Sequence, residues 1–288
     1  MRSIAVVNLK GGSGKTTPPL CLAVGMARRG LHVLLVDADS QGNASMTMLD
    51  GQVVDPPTLG NVLLGHAVAS DAIRPTRVEG LDILPADARL ADAALLLADQ
   101  LGREHRFRVA VERLAERYDA MVVDCPPQMS LVTVNVLTAV QELLVPVDAG
   151  IYSVAGLAQL ERTVADVRQY LGNEGLRVGG LLLTRAHANR ATRDIADQLR
   201  TAYGSVVYRA SIPHSVRVEE AHARNLTVTE FSPTSAPAKA YDDLVTEVLE
   251  HGKQLAGNPG ATIHVDPADP GGKPGAKPGR GRGTRRAG

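Results

Sequence analysis

Two rhythms of apolar residues run along this chain. Short runs rich in Val, Leu and Ile, "SIAVVNL" (3–9), "HVLLVDA" (32–38), "LDILPA" (81–86), "AMVVDC" (120–125), "ELLVPV" (142–147), "VGGLLLT" (178–184) and "SVVYRASI" (205–212), read as strands. Several are apolar on both faces, as the strands of a parallel sheet covered on each side must be. Between them "LCLAVGMARRG", "RVAVERLAERY", "SVAGLAQLERTVADVRQYLG" and "TRDIADQLRTAYG" carry helical spacing. Gly30 and Gly204 stand where two of these helices should stop. A last helix is expected from Ser235 to about His251. Alternation on this scale predicts an α/β domain with a doubly wound, mostly parallel sheet flanked by helices. From Gly257 onward Gly, Pro and basic residues replace anything that could be buried, which predicts a domain over 1–255 and a disordered tail over 256–288.

Composition narrows the class. The 288 residues are 44% apolar and 22% charged, enough chain for a substantial core in one or two domains. Aromatics are 3% with no Trp, so aliphatic side chains must supply that core. Cys21 and Cys125 both lie in apolar surroundings, which suggests two buried thiols and no oxidising compartment. The first apolar run breaks at Asn8 and Lys10, too early for a signal peptide, and no run approaches the ~20 residues of a membrane span. A cytoplasmic protein is the expectation.

The formal net charge of zero hides a segregation. Residues 1–150 hold 13 Lys/Arg against 17 Asp/Glu, whereas 185–224 hold seven Arg against four acids and 257–288 six Lys/Arg against two acids. Such a distribution fits either an ordinary solvated surface or a basic face for a polyanion.

The chemistry concentrates after the first strand. Lys10-Gly11-Gly12-Ser13-Gly14-Lys15-Thr16-Thr17 departs from the strict G-x-x-x-x-G-K-[ST] phosphate loop, because Leu9 stands where its first glycine would be. The physics of the loop survives. Glycines let successive backbone N–H groups converge on phosphate oxygens, and Lys15 brings charge to the β- and γ-phosphates. The Thr16 hydroxyl suits Mg²⁺, and a helix N-terminus follows.

K-G-G-x-G-K-T-T resembles the deviant Walker A box of the ParA/MinD ATPases, closest to the ParA-type partitioning members, and Lys10 occupies the place of their signature lysine. "VLLVDADSQGNAS" (33–45) resembles the family's V-D-x-D-P-Q-G-N, and "AMVVDCPPQMSLVTVNVLTA" (120–139) its V-D-x-P-P switch segment. "ASIPHSVRVEEAHARNLTV" (210–228) resembles I-P-R-N-V-R-L-x-E-A-P-x-x-G-K, so the likeness spans residues 1 to about 250. It implies the P-loop NTPase fold, ATP and Mg²⁺ as ligands, and ATP hydrolysis that is slow until a partner stimulates it. It implies that Lys10, Lys15 and Asp39 are catalytic, Asp39 orienting the attacking water. Gly11 to Thr17, with Ile212 and Pro213, would contact the nucleotide; Thr16, Asp37 and Asp124 would serve the metal. Ser40 replaces the family's proline, an exchange that should loosen its turn.

The resemblance further implies an ATP-dependent homodimer in which Lys10 reaches the other subunit's phosphates. ParA-like members bind DNA without sequence preference through basic residues of the C-terminal third, and Arg193, Arg217 and Arg224 stand there. His214 and the Arg224-Asn225 pair depart from that motif. The tail is an added DNA contact or an inert linker. MinD-like members end in a membrane-lying helix, which the Gly/Pro-rich tail does not resemble. The implied function is a nucleoid-associated switch that positions a chromosome, plasmid or protein compartment, assisted by a ParB-like or cargo-adaptor protein. A small-molecule ligase or kinase of the same fold, dethiobiotin-synthetase-like, and a scaffold without turnover are the competing readings. The nitrogenase iron protein shares the fold, but two cysteines placed as here do not suggest its cluster.

Pro18 and Pro19 occupy the start of the helix after the loop. With a helix starting near Lys15, Pro19 would remove a bond to the Lys15 carbonyl and crowd it, opening the first turn of a site that still binds nucleotide.

Overall fold

A computed structural model of the chain describes residues 1–7, 16–148 and 152–257, the side chains of 152–155 and 253–257 excepted. Lys10, Gly11, Gly12, Ser13, Gly14 and Lys15 lie outside the described residues, as does the tail from 258. The first half runs β1 (Arg2–Val6), α1 (Thr17–Ala27), β2 (Val33–Asp37), α2 (Asn43–Met48), α3 (Leu59–Leu63), α4 (Ala69–Ala72), β3 (Arg74–Pro75), β4 (Leu81–Leu84), α5 (Arg89–Leu97) and α6 (Arg106–Glu112). The second half runs β5 (Ala120–Asp124), α7 (Leu131–Leu137), β6 (Glu142–Asp148), α8 (Tyr152–Tyr170), β7 (Arg177–Ala186), α9 (Arg190–Tyr203), β8 (Val207–Pro213), α10 (Val216–His222), α11 (Val228–Phe231) and α12 (Ala236–Gly257).

The strands form one sheet in the order β3-β4-β2-β5-β1-β6-β7-β8, parallel throughout except where β3 meets β4. The double-faced apolar runs become its centre: β2 and β5 are buried along their whole length. The two-residue antiparallel β3 escapes the sequence pattern, being too short to show a period. So do α2, α3, α4, α7, α10 and α11, of four to seven residues, and the nine-residue α5. The expected strands over 81–86 and 205–212 are trimmed, the latter because 204–206 form a 3₁₀ turn.

The winding direction decides the layers. From β1 the chain moves through α1 to β2 and β4, then reverses and fills β5, β6, β7 and β8 in turn. Right-handed crossovers taken in opposite directions put their helices on opposite faces. Accordingly Leu20, Leu22 and Met26 of α1 pack with Tyr241, Leu244 and Val248 of α12 on one face. Leu90 of α5, Val136 of α7, Leu160 of α8 and Leu199 of α9 pack on the other. The reversal leaves a crevice at the carboxyl ends of β1, β2 and β5, the usual ligand position in such sheets.

The prolines fare better than a helix starting near Lys15 would allow. Thr16 is the N-cap of α1, so Pro18 and Pro19 are its second and third residues. The first helical bond between backbones is Leu20 N–H to the Thr16 carbonyl at 3.2 Å. Both missing N–H groups therefore fall among those a helix start leaves unpaired anyway, and Pro19 breaks no helical bond. The opened first turn expected from the sequence is not what the chain forms.

Candidate functional site

Asp37 ends β2 and Asp124 ends β5, and the parallel register sets them side by side. On its other flank Asp124 is in register with Val6 of β1. β1 therefore ends beside Asp124, and after the phosphate-loop segment the described chain resumes at Thr16. Asp124 is buried.

Asp37 is wholly buried and its carboxylate is fully used. One oxygen accepts the Asp39 backbone N–H at 3.1 Å; the other accepts both the Ser45 N–H and its hydroxyl, each at 2.8 Å. Ser45 Oγ in turn accepts the Ala86 N–H at 2.9 Å, joining the ends of β2 and β4. The turn between them is closed by Gln41 N–H to Asp39 Oδ1 at 3.1 Å and Gly42 N–H to the Asp39 carbonyl at 2.9 Å. Ser40 sits within this hydrogen-bonded turn. Gly42 is required here, with φ of 64° and room for a Cβ only at 3.2 Å from the Ala86 carbonyl oxygen. Burial pushes the Asp37 carboxyl up to about 6 against the pull of its donors, with the charge of Asp39 adding to the rise.

Beyond this turn opens a cavity of about 680 Å³. Thr16 lines one wall, Asp39, Ser40 and Gln41 the second, and Pro126, Pro127 and Gln128 after β5 the third. Asp39 is partly exposed and faces this space, whereas Asp37 is not among its lining residues.

A smaller cavity of about 230 Å³ lies at the carboxyl ends of β7 and β8. Ile212 and Pro213 line it with Thr17, Thr184 and Tyr241, so these two sequence-selected residues sit beside α1 and not beside Asp39. His222 of α10 lines both cavities and is hydrogen-bonded through Nε2 to the Thr17 hydroxyl at 3.0 Å. Burial depresses the pKa of its imidazole.

The three candidate arginines are placed separately. Arg193 is exposed on α9, three residues past its start. Arg217 is exposed on α10 and Arg224 is exposed two residues past its end; Arg217 pairs with Glu220 at 2.8 Å, and the Arg224 guanidinium lies 4.8 Å from the Phe231 ring centroid. α9 and α10 belong to opposite faces of the sheet, but the loops leading into them touch. His214 N–H donates to the Ala186 carbonyl at 3.1 Å, and the His187 and His214 rings stack at 5.1 Å.

Sequence reading missed Ser45, Gln128, Thr184 and His222. Ser45 and Gln128 lie inside motif-bearing stretches, so their neighbours could have flagged them. Thr184 looks like any strand residue, and only its environment marks it. His222 stands where the quoted I-P-R-N-V-R-L-x-E-A-P pattern has its proline, a visible departure.

Profile comparison matches residues 1–178 to the AAA domain family and 140–263 to 4Fe-4S iron sulfur cluster binding proteins of the NifH/frxC family. The cysteines do not fit such a cluster. The stretch 140–263 contains none, and Cys21 and Cys125 pack into clusters on opposite faces of the sheet. Burial pushes the Cys21 thiol up to about 12 and the Cys125 thiol well above its ordinary value, both away from the ligating thiolate. Among the described residues no helix is long and apolar enough to cross a membrane.

The chain is 37% identical over 252 residues to the chromosome partitioning protein ParA of Caulobacter vibrioides, covering 86% of this chain and 94% of that protein. It is 36% identical over 250 residues to the sporulation initiation inhibitor protein Soj of Bacillus subtilis, covering 86% and 98%. Among solved structures, the cobyrinic acid a,c-diamide synthase of Mycobacterium smegmatis with bound ATP analog and magnesium superposes with a TM-score of 0.75 at 31% identity. That superposition covers 88% of this chain and 96% of the synthase.

Proposed function

This chain belongs to the ParA/MinD family of P-loop ATPases, and from that membership we propose that it is a ParA-type partitioning ATPase. The carrying observation is the placement of Asp39 on a large cavity opposite Thr16, beside the strand ends from which the phosphate loop emerges. In this reading the backbone N–H groups of Gly11 to Thr17 and the Lys15 ammonium hold the phosphates of ATP. Thr16 and Asp124 are the oxygen donors for Mg²⁺, a hard cation suited to such ligands, which offsets phosphate charge when bound. Asp37 serves the same region from behind, by fixing the turn that carries Asp39. Asp39 orients a water whose oxygen bonds to the γ-phosphorus as the bond to the ADP oxygen breaks. The water's proton is released and the phosphate leaves. Lys10 reaches the phosphates of a second subunit, stabilising charge there and making dimerisation depend on ATP.

The dimer binds DNA nonspecifically through Arg193, Arg217 and Arg224, with the basic tail as a further contact. A ParB-like or cargo-adaptor protein stimulates hydrolysis and releases the subunits. The protein is then cytoplasmic and nucleoid-associated, and positions a chromosome, plasmid or protein compartment. A second reading, a small-molecule ATP-dependent enzyme, draws on the likeness to the diamide synthase. ATPase assays with and without nonspecific duplex DNA separate the two. Turnover that DNA stimulates and salt suppresses supports the partitioning ATPase. Turnover indifferent to DNA but requiring a small carboxylic acid supports the enzyme.

A further inference from the structure

The larger cavity takes part of its lining from the Asp39 turn and α2, as far as Thr47, and part from Asn225 beyond α10. One side chain ties these two stretches together. Arg77 stands in the loop between β3 and β4, its side chain 21% exposed. Its Nη1 donates to the Thr47 carbonyl at 2.7 Å and to Asp50 Oδ1 at 3.0 Å, which holds the carboxyl end of α2. Along its other edge Nε and Nη2 donate to the two carboxylate oxygens of Glu230 on α11, at 3.0 and 2.9 Å. The Glu230 side chain, 12% exposed, also accepts the Thr227 N–H at 3.0 Å and the Thr227 hydroxyl at 2.7 Å, two residues past Asn225. Burial raises the Glu230 pKa, but the bonds from Arg77 and Thr227 outweigh it and hold the carboxyl below its ordinary value. Backbone closes the same seam. Gly51, with φ of 74°, approaches Asn225 so closely that a Cβ would stand 2.6 Å from its Nδ2.

Resting on the partitioning reading above, we propose that Arg77 is a positioning residue that couples α11, and through it the surface carrying Arg217 and Arg224, to the turn that carries Asp39. DNA held at that surface then raises turnover through Arg77. The Arg224 guanidinium over the Phe231 ring gives α11 a direct contact with this surface. A planar guanidinium suits the task, because its donors lie in a fixed fork that engages a carboxylate along one edge and a carbonyl along the other. A displacement of Glu230 is therefore passed to the Thr47 carbonyl and to α2, which follows the Asp39 turn directly. The Asp39 turn is separately held by Asp37 and Ser45, so its DNA-free geometry does not need Arg77. Loss of Arg77 cuts the link and spares the site.

The test uses the full chain, with steady-state ATP turnover measured with and without nonspecific duplex DNA. DNA binding in Mg-ATP is followed by fluorescence anisotropy. In Arg77→Met the stimulation by DNA is expected to fall at least about threefold, while DNA-free turnover, the KM for ATP and DNA affinity each change less than about twofold. Arg77→Lys keeps the charge without the fork and is expected to recover part of the response. Glu230→Gln, which removes the charge and keeps the shape, is expected to lose about as much stimulation as Arg77→Met. Thermal unfolding checks that each variant is folded, and where Arg77→Met is not, Arg77→Lys and Glu230→Gln are read by the same criteria. Undiminished stimulation would overturn the proposal. So would an equal fractional loss with and without DNA, the mark of a purely structural role, or a loss of DNA binding that by itself accounts for the lost response. A wild-type chain whose turnover ignores DNA overturns the partitioning reading beneath it, whatever the variants do.

Discussion

The turn after β2 and the rim after β7 and β8 border the same site but are finished to different degrees. Around Asp37 every carboxylate oxygen is satisfied by the protein itself, and the network reaches through Ser45 to Ala86. At the other rim the Thr184 hydroxyl has no hydrogen-bond partner among the described residues and His222 stands between two cavities. The first region is built before any ligand arrives, at the expense of burying an anion whose pKa rises to about 6. The second is left open. Chemistry needs a fixed donor and acceptor geometry, whereas recognition tolerates groups that wait for a partner.

The largest effect that would sharpen this contrast comes from the exposed end of the preformed turn. Asp39→Ala is expected to bind ATP and dimerise normally but to hydrolyse it about 100-fold more slowly, as loss of a group acting on the attacking water does. Single-turnover hydrolysis measures this, and parental turnover would remove Asp39 from the mechanism. Next is Ser45→Ala, which strips one bond from Asp37 and leaves the Ala86 N–H without its acceptor. A loss of about 1 to 2 kcal/mol in denaturant unfolding is expected, with turnover falling more than ATP affinity because the Asp39 turn loosens.

The prolines lie where the two regions meet, at the start of α1. Replacing Pro18-Pro19 with Thr-Ala is expected to leave ATP affinity within about twofold, since neither proline interrupts a helical bond. A larger change would mean that rigidity of this turn tunes the site. Stability should drop by about 1 kcal/mol, mainly from the freer unfolded chain.

The smallest effect is a pH dependence at the unfinished rim. The folded pKa of His222 lies below the ordinary value of 6.5 because burial disfavours its charge. Its contribution is therefore complete above about pH 6.5 and is lost as pH falls toward the folded pKa, because the unfolded chain takes up the proton first. Urea melts between pH 7.5 and 5.5 should show wild type losing stability relative to His222→Gln. Parallel curves would show that His222 titrates alike in both states.

Much of this protein could be read from the chain. Double-faced apolar runs such as "VLLVDA" announced central parallel strands, because a strand covered by helices on both sides has no polar face to show. Asp37, Asp39 and Asp124 were findable because each follows such a run directly, so local order fixes their place at a strand end. Short helices and the Arg74–Pro75 strand were not legible, since four to seven residues hold too little periodicity to distinguish a helix from a turn. What the tertiary structure alone decided is who meets whom across distance. Thr17 and His222 are 205 positions apart, and Ser45 and Ala86 are 41. The sequence by itself therefore determined the sheet and where the three acids stand on it, which rest on local periodicity and strand termini. Packing decided that Asp37 is saturated while Asp39 is free to face a cavity, that Pro19 falls within the unpaired first turn, and that one histidine joins two pockets. Those outcomes depend on burial and on the order in which strands pair, neither of which any single stretch of sequence contains.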